Sequence, residues 1–186
     1  MSVAVAVRKG STIVVAADTQ ENFGDEKIPR ANHGSSKILR IGRTYVAMTG
    51  WGVYDNILRD YVTRGRPRLG SEREIFTFFM AFWRQLRRRY SLVNDQAHED
   101  DPSPFADLDS SFLVAGRAGI FYVSGNMSVI QLREYYAIGS GAPYALGALH
   151  VLTRQSLALE TVARRACEAG TAFDVYSGGE IEVFRV

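Results

Sequence analysis

The chain begins Met1-Ser2-Val3-Ala4-Val5-Ala6-Val7-Arg8-Lys9-Gly10-Ser11-Thr12-Ile13-Val14-Val15-Ala16-Ala17-Asp18, two apolar runs separated by a short polar stretch. Valine alternates with alanine in the first run, and a strand without a polar face is typical of one that is buried on both sides. The stretch 8–11 predicts a hairpin turn in which Gly10 adopts a positive φ. We therefore expect two paired, fully buried β-strands, the second ending at Asp18.

Ser2 stands directly behind Met1 and leads into the first buried strand. Removal of Met1 would leave Ser2 with a free α-amine beside its own hydroxyl. The reference pKa of such an amine is about 8, so it can accept a proton near neutral pH. A nucleophile that is activated by a terminal amine is a known catalytic arrangement. The alternative is that Met-Ser is simply a common way to begin a protein.

Further motifs follow in a specific order. A third strand opens at Lys37 (37–41), Tyr45-Val46-Ala47-Met48 runs into Thr49-Gly50-Trp51-Gly52, and Ala137-Ile138-Gly139-Ser140-Gly141-Ala142-Pro143-Tyr144-Ala145 comes much later. With Ser2 and Asp18, this series resembles the proteasome β-subunit family of N-terminal-nucleophile hydrolases, and within it the bacterial HslV-type peptidase subunits and their proteasome-like relatives. The resemblance covers nearly the whole chain. It implies an α+β fold, a four-layer αββα sandwich, formed by residues 1–186 as one domain.

The resemblance also implies a catalytic set of Ser2, Asp18, Lys37, Gly50 and Ser140. A serine hydroxyl needs a base, and the Ser2 amine would serve as one. The Lys37 ammonium would lower the pKa of that amine by like-charge repulsion, and Asp18 would hold Lys37 charged and oriented. The alternative for Asp18 and Lys37 is a purely structural ion pair.

Gly50 matches the glycine whose backbone N–H binds the oxyanion in the family, and Gly52 is a second candidate after a one-residue shift. The alternative for Gly50 is a glycine that starts a helix. Ser140 matches a serine that relays protons beside the nucleophile, and the alternative role is a helix N-cap. These assignments rest on the resemblance.

The same resemblance implies a substrate pocket. Met48 matches its floor, Ser35 and Leu39 match its walls, and Gly52 lies beside it. An apolar floor favours uncharged side chains before the scissile bond. The polar stretch 19–36 corresponds to a short strand and turn beside the cleft, with Glu26, Lys27 and Arg30 expected on a solvated face.

The chain departs from the family pattern in two places. The nucleophile is serine instead of threonine, so it lacks the γ-methyl group that restricts χ1. Thr171 stands where the family carries an aspartate, while Asp174 is expected within the next strand. HslV-type members also bind a monovalent cation, and the backbone carbonyls of Gly170, Phe173 and Tyr176 have the matching spacing. No other cofactor is expected.

The remaining periodicities predict helices and strands along the rest of the chain. Helices are expected over 53–65, 71–90, 144–152 and 156–169, strands over 111–115, 119–123, 128–132 and 135–138, and a last hairpin over 173–176 and 180–184. Arg84 and the arginines at 87–89 are expected to complement the end of the second helix and to pair with the acidic stretch 95–109. Binding of nucleic acid by the arginines, or of a metal by His98, is the less favoured interpretation.

Composition excludes several classes of protein. The 22 basic and 20 acidic residues leave a formal charge of +2, too balanced to argue for a nucleic-acid or anionic-membrane partner. The only cysteine is Cys167, which suits a reducing compartment. The sequence shows neither a signal-peptide pattern nor an apolar run of about 18 residues. We therefore expect a cytoplasmic protein.

Three functions remain open from the sequence. The first is a peptidase subunit that acts on peptides or unfolded proteins, assembles with itself into hexameric or heptameric, stacked rings, and works beside an ATP-dependent unfoldase ring. The second is a non-catalytic ring protein that retains Met1. The third is an amidase of the same fold that acts on a small molecule.

Overall fold

The computed structural model describes residues 2–65, 67–90 and 107–186. The four α-helices in these ranges are α1 (Gly52–Thr63), α2 (Glu72–Arg89), α3 (Ala142–Leu152) and α4 (Leu159–Phe173). The strands are β1 (Ala4–Lys9), β2 (Thr12–Asp18), β3 (Glu21–Phe23), β4 (Glu26–Ile28), β5 (Ile38–Ile41), β6 (Thr44–Thr49), β7 (Ser111–Gly116), β8 (Gly119–Val123), β9 (Val129–Leu132), β10 (Tyr135–Ile138) and β11 (Ile181–Arg185).

Two antiparallel sheets form the centre of the molecule. The first has the strand order β10-β1-β2-β11 and the second the order β5-β6-β7-β8-β9, while β3 and β4 form a separate pair. The predicted N-terminal hairpin is confirmed, with Ala4 opposite Ala17 and Lys9 opposite Thr12. Since β1 and β2 have neighbours on both sides, both strands are internal to their sheet.

Three apolar clusters separate four layers. The middle cluster lies between the two sheets and draws on alternate residues of β1 and β2, such as Ala6 and Val15, together with Leu113 and Ile120 of the other sheet. The opposite faces of β1 and β2 pack against α3 and α4. The aromatic-rich third cluster packs α1 and α2 on the second sheet. Both faces of β1 are therefore buried, and the expected αββα sandwich is confirmed.

The last predicted hairpin is wrong. Residues up to Phe173 continue α4, and 174–180 form a turn and loop instead of a strand. The final strand β11 pairs with β2, placing Ile181 opposite Asp18. Helix α4 also begins later than expected, at Leu159, since Ala158 is its N-cap. The Ser177-Gly178-Gly179 motif has the composition of a hairpin turn. It lies instead in the loop that precedes β11, where Gly178 contacts Asp18 at the end of β2.

Some predictions lie outside the described residues. These are the placement of Met1, the metal alternative at His98, and the partnership of the arginines with residues 95–106. At the end of α2, Arg87 lies over the Trp83 ring and Arg89 over the Tyr90 ring. Among the described residues, no helix is long and apolar enough to cross a lipid bilayer. The same ranges contain no group of three or more His, Cys, Asp or Glu side chains suited to a metal ion.

Candidate active site

Ser2 is almost fully buried at the start of β1, with 4% of its surface exposed. Its backbone nitrogen lies 3.2 Å from Ser140 Oγ, and its carbonyl accepts a hydrogen bond from the Gly141 N–H at 3.2 Å. This nitrogen is an amide while Met1 is attached and an amine once Met1 has been removed. The loop between β10 and α3 therefore contacts the residue that would carry both nucleophile and base.

Asp18 and Lys37 form a buried ion pair beside this residue. Lys37 Nζ lies 3.0 Å and 2.9 Å from the two Asp18 carboxylate oxygens, and the lysine side chain is only 9% exposed. Asp18 also accepts hydrogen bonds from the backbone N–H groups of Val3, Gln20 and Gly178 at 2.9, 3.1 and 3.0 Å. Five bonds to one carboxylate hold the lysine ammonium in one place. Because Val3 adjoins Ser2, they also connect the ion pair to the chain start.

Ser140 is oriented by Asp174, a residue that the sequence predicts to lie in a strand. Its hydroxyl donates to Asp174 Oδ2 at 2.6 Å, and the Ser177 hydroxyl donates to the same oxygen at 2.5 Å. Thr171, the predicted replacement, lies inside α4 and bonds the Glu168 carbonyl instead. Asp174 is the C-cap of α4 and not a strand residue. The N-cap alternative for Ser140 is also wrong, since Gly141 is the N-cap of α3.

Gly50 follows β6 with a backbone conformation that other residues rarely adopt, at φ 124°. A Cβ at this position would lie 2.2 Å from Ser110 Oγ and 2.4 Å from the Asp109 carbonyl oxygen. The position therefore requires glycine on both conformational and steric grounds. Gly52 is already the first residue of α1, so the helix starts at Gly52 and not at Gly50.

The predicted pocket residues lie along β5, β6 and the segment before them. Met48 is buried in the cluster under α1, and Leu39 packs against the same cluster. Gly52 and Ser35 are exposed, and the Ser35 hydroxyl lies 3.1 Å from His33 Nδ1. An apolar floor and an exposed edge are thus present at the expected positions, but their contact with a substrate stays a prediction.

Side-chain contacts from the last strand, β11, hold the polar segment that precedes Lys37. Glu182 of β11 binds the Ser36 hydroxyl and forms an ion pair with Arg30 at 3.1 Å. Arg30 also donates to the Ser35 carbonyl at 2.6 Å. The expectation that Arg30 lies on a solvated face is therefore wrong: it clamps the segment that leads to Lys37.

The predicted cation ligands surround the end of α4. The Gly170 carbonyl accepts a hydrogen bond from the Asp174 N–H at 3.0 Å, and the Tyr176 carbonyl accepts one from the Asn22 side chain at 2.9 Å. Each carbonyl oxygen has a second lone pair, and the last carbonyls of a helix lack intrahelical partners. These groups are compatible with a hard monovalent cation, and the site stays a prediction.

The fold is that of the N-terminal-nucleophile hydrolases. Among solved structures, BPH of Thiobacillus denitrificans in complex with epoxomicin is 34% identical to this chain and superposes with a TM-score of 0.88. The match covers 99% of this chain and 97% of the BPH chain. HslV of Trypanosoma brucei, at 21% identity and a TM-score of 0.69, shares the fold. A comparison with protein-family models found no match.

Curated bacterial proteins agree with the structural comparison. The ATP-dependent protease subunit HslV of Caldicellulosiruptor saccharolyticus is 26% identical over 189 residues, covering 98% of this chain and 96% of that protein. HslV of Desulfovibrio desulfuricans is 29% identical over 185 residues, covering 95% and 93%. The chain belongs to the HslV-like proteasome β-subunit family. It is a protease subunit of the N-terminal-nucleophile class.

Proposed function

We propose that this protein cleaves peptide bonds with Ser2 as its nucleophile, after Met1 has been removed. The observation that carries the proposal is the position of Ser2 between two oriented groups. The Asp18–Lys37 ion pair is fixed to the neighbouring Val3 N–H, and Ser140, held by Asp174, contacts the Ser2 nitrogen itself.

The reaction would proceed through an acyl-enzyme. The Ser2 hydroxyl attacks the carbonyl carbon of the scissile bond while its proton passes to the α-amine, directly or through water. The Lys37 ammonium keeps that amine unprotonated by like-charge repulsion. The protonated amine then donates its proton to the leaving nitrogen, and the C–N bond breaks. A water molecule hydrolyses the resulting ester, with the same amine as base, and restores the Ser2 hydroxyl.

The oxyanion formed in each step needs a hydrogen-bond donor. We assign this role to the Gly50 backbone N–H, with Gly52 as the alternative donor. Removal of one such donor typically costs about 3 kcal/mol of transition-state stabilisation. Ser140 lies within hydrogen-bond reach of the Ser2 nitrogen and would orient the amine or carry its proton.

The substrate would be an extended peptide that adds to the edge of the cleft as a strand, so that main-chain hydrogen bonds provide most of the affinity. Met48 and Leu39 would form an apolar base for the side chain before the scissile bond, with Ser35 and Gly52 at its edge. This arrangement favours uncharged side chains at that position.

The names of the relatives support a proposal for assembly and location. The curated relatives are named subunits of ATP-dependent proteases, and this sequence has no P-loop of its own. We therefore propose self-assembled rings of six or seven subunits, a separate ATP-dependent unfoldase as partner, and a cytoplasmic location. A monovalent cation bound by the carbonyls of Gly170, Phe173 and Tyr176 would neutralise the negative end of α4.

Variants of the full-length protein test the nucleophile. The intact mass first establishes that Met1 is absent, and hydrolysis of a fluorogenic peptide is then measured. Ser2→Ala should reduce kcat/KM by roughly 10³-fold or more, while Ser2→Thr should retain activity. Ser11→Ala, a serine in the β1–β2 turn, is the matched control. Full hydrolysis by the Ser2→Ala protein, or activity in protein that retains Met1, would exclude this mechanism.

Epoxomicin offers an independent test, since a relative at 34% identity has been solved in complex with it. In the proposed mechanism the Ser2 hydroxyl and amine are the two nucleophiles that the compound would meet. We expect a one-to-one covalent adduct on the Ser2 residue of the mature protein. The adduct should be absent from Ser2→Ala and from protein that retains Met1.

A further inference from the structure

A basic cavity lies at the opposite end of the sheets from Ser2. It has a volume of about 490 Å³ and is open to solvent. Its wall includes the β1–β2 turn, the β9–β10 turn and the segment between α3 and α4. The segment from Ser2 through β1 to Lys9 spans seven residue steps, about 23 Å at the usual rise of a strand. None of the proposed catalytic residues lines the cavity.

The charge in this cavity is one-sided. Arg8, Lys9, Arg133 and Arg154 line it against a single carboxylate, Glu134, so four positive charges less one negative charge leave +3. The chain as a whole carries only +2. Within the ranges that the structure describes, none of these four cations forms an ion pair with a carboxylate. The positive charge is therefore concentrated here and left unbalanced.

Arg154 is held by a neutral base instead of an acid. Its guanidinium lies 2.7 Å from His150 Nε2, and His150 Nδ1 lies 3.2 Å from the Tyr135 hydroxyl. Since arginine can only donate, Nε2 must accept, and the ring proton resides on Nδ1 and donates to the tyrosine. Arg8 is similarly held by a neutral acceptor, with Nε donating to the Gly10 carbonyl at 2.9 Å. Both guanidinium groups are thus oriented without being neutralised.

The apolar part of the wall narrows the ligand class. Leu157, Leu159 and Val162 line the cavity together with Tyr135, and Leu159 and Val162 are buried side chains of α4. Its volume falls in the range of small-molecule sites. Several cations in one cavity match a phosphate better than a carboxylate, because phosphate carries about −2 charge and accepts bidentate bonds from arginine. The concave shape favours a small molecule over a polymer.

We infer that this cavity binds a phosphorylated small molecule that also carries an apolar or aromatic group. The cations hold the phosphate groups, and the α4 side chains with Tyr135 contact the remainder of the ligand. The site is independent of peptide hydrolysis, so its occupancy is measured by binding alone.

Isothermal titration calorimetry with the full-length protein tests the inference, using inorganic pyrophosphate and ADP as probes. Both should bind at low salt, with ADP binding more tightly, and high salt should weaken both. The double variant Arg8→Gln/Arg154→Gln should bind both probes at least about tenfold more weakly. Arg40→Gln/Arg117→Gln removes the same charge from β5 and from the β7–β8 turn, outside the cavity, and should bind like the wild type.

Thermal unfolding without ligand shows whether each variant is folded. If the first pair is not, Lys9→Gln/Arg133→Gln tests the same cavity through two exposed side chains. The inference is overturned if neither probe binds at low salt, or if cavity and control variants lose affinity equally. A single-stranded oligonucleotide is titrated as a third probe. The inference is equally overturned if it alone binds, since that outcome would mean a basic surface and not a small-molecule site.

Discussion

Asp174 holds Ser140 in position, because its Oδ2 accepts hydrogen bonds from the hydroxyls of both Ser140 and Ser177. The family resemblance implies that Ser2, Asp18, Lys37 and Ser140 lie close together. In the structure Ser140 Oγ lies against the Ser2 nitrogen, and the Asp18–Lys37 ion pair accepts a hydrogen bond from the N–H of the adjacent Val3. The sequence places Thr171 at the position of the family aspartate and ends α4 at 169, whereas the helix continues to Phe173. Three residues are nearly one helical turn, so that error exchanges a helix-interior threonine for the C-cap aspartate.

Asp174→Asn should reduce peptide hydrolysis while leaving the protein folded. An amide can still accept from one serine, but it lacks the charge that strengthens two short hydrogen bonds. We expect kcat to fall about tenfold, equivalent to about 1.4 kcal/mol, with little change in KM. Because Asp174 acts through Ser140, the pH–kcat profile should also shift. Thr171→Ala is the matched control, and equal loss in both variants would contradict this assignment.

Gly50→Ala should abolish activity and destabilise the fold. The added methyl group would overlap Ser110 Oγ and the Asp109 carbonyl, and the positive φ adds strain. Gly42→Ala is the control, since Gly42 also has a positive φ of 62° but has no atom within 4 Å of the added Cβ. It should lose about 1 kcal/mol of stability and keep its activity. Denaturant unfolding and peptide hydrolysis, measured on both, separate the steric effect from backbone strain.

Among the secondary-structure elements, the sequence predicts most reliably those whose residues are all apolar and must therefore be buried on both faces. The β1–β2 hairpin has no polar face, and both of its faces are indeed covered by other layers. The final segment was ambiguous, because Ser177-Gly178-Gly179 is compatible with either a hairpin turn or a loop. Gly178 instead donates its N–H to Asp18, and Thr19 and Gln20 donate theirs to its carbonyl. That long-range contact has no local signature in the sequence.

Helix α4 carries Cys167 against the sheet, where burial raises the pKa of its thiol, with a smaller contribution from Asp18. We expect iodoacetamide to leave it unmodified in the folded protein and to label it fully in denaturant. The raised pKa means that the folded protein keeps the thiol neutral. The neutral thiol therefore costs the folded state nothing at a pH below the unfolded pKa of about 8.5, where stability is at its full value. Stability declines as the pH rises above that pKa, where the unfolded thiol ionises.

Urea unfolding near pH 7.5 and pH 9.5 measures this dependence. The wild type should lose more stability between the two values than Cys167→Ala, which has no thiol to ionise. The difference between the two proteins is the relevant quantity, since other groups titrate equally in both. Rapid labelling of the folded wild type, or identical pH dependence in both proteins, would show that the thiol is accessible.

For the whole molecule, the two ends of the sandwich differ in chemistry. The end that carries Ser2 contains the Asp18–Lys37 ion pair and the Asp174 carboxylate, each held by several hydrogen bonds, as expected for a site that must fix one geometry. The opposite end carries uncompensated cations around an open cavity. Strands β1 and β10 connect the two ends through a buried core, so each can be altered without changing the residues of the other.

The exposed apolar side chains at the end of α4 should form part of the contact between subunits. Phe173 and Val175 are 70% and 79% exposed, and Tyr144 of α3 lies against Phe173 with ring centroids 5.3 Å apart. An apolar patch of this kind is typical of an interaction surface, and a ring contact joins it to a different face of the next copy.

Phe173→Glu should therefore convert the ring to smaller species. Burial of a carboxylate in an apolar contact is unfavourable, whereas the same charge on a solvated surface has little effect. Phe23→Glu places it on the β3–β4 pair, where Phe23 is 73% exposed, and serves as the control. Light scattering after size-exclusion chromatography measures both masses. If the Phe173→Glu protein retains the mass of the wild type, the subunits meet through another surface, and the patch around Phe173 faces solvent in the ring.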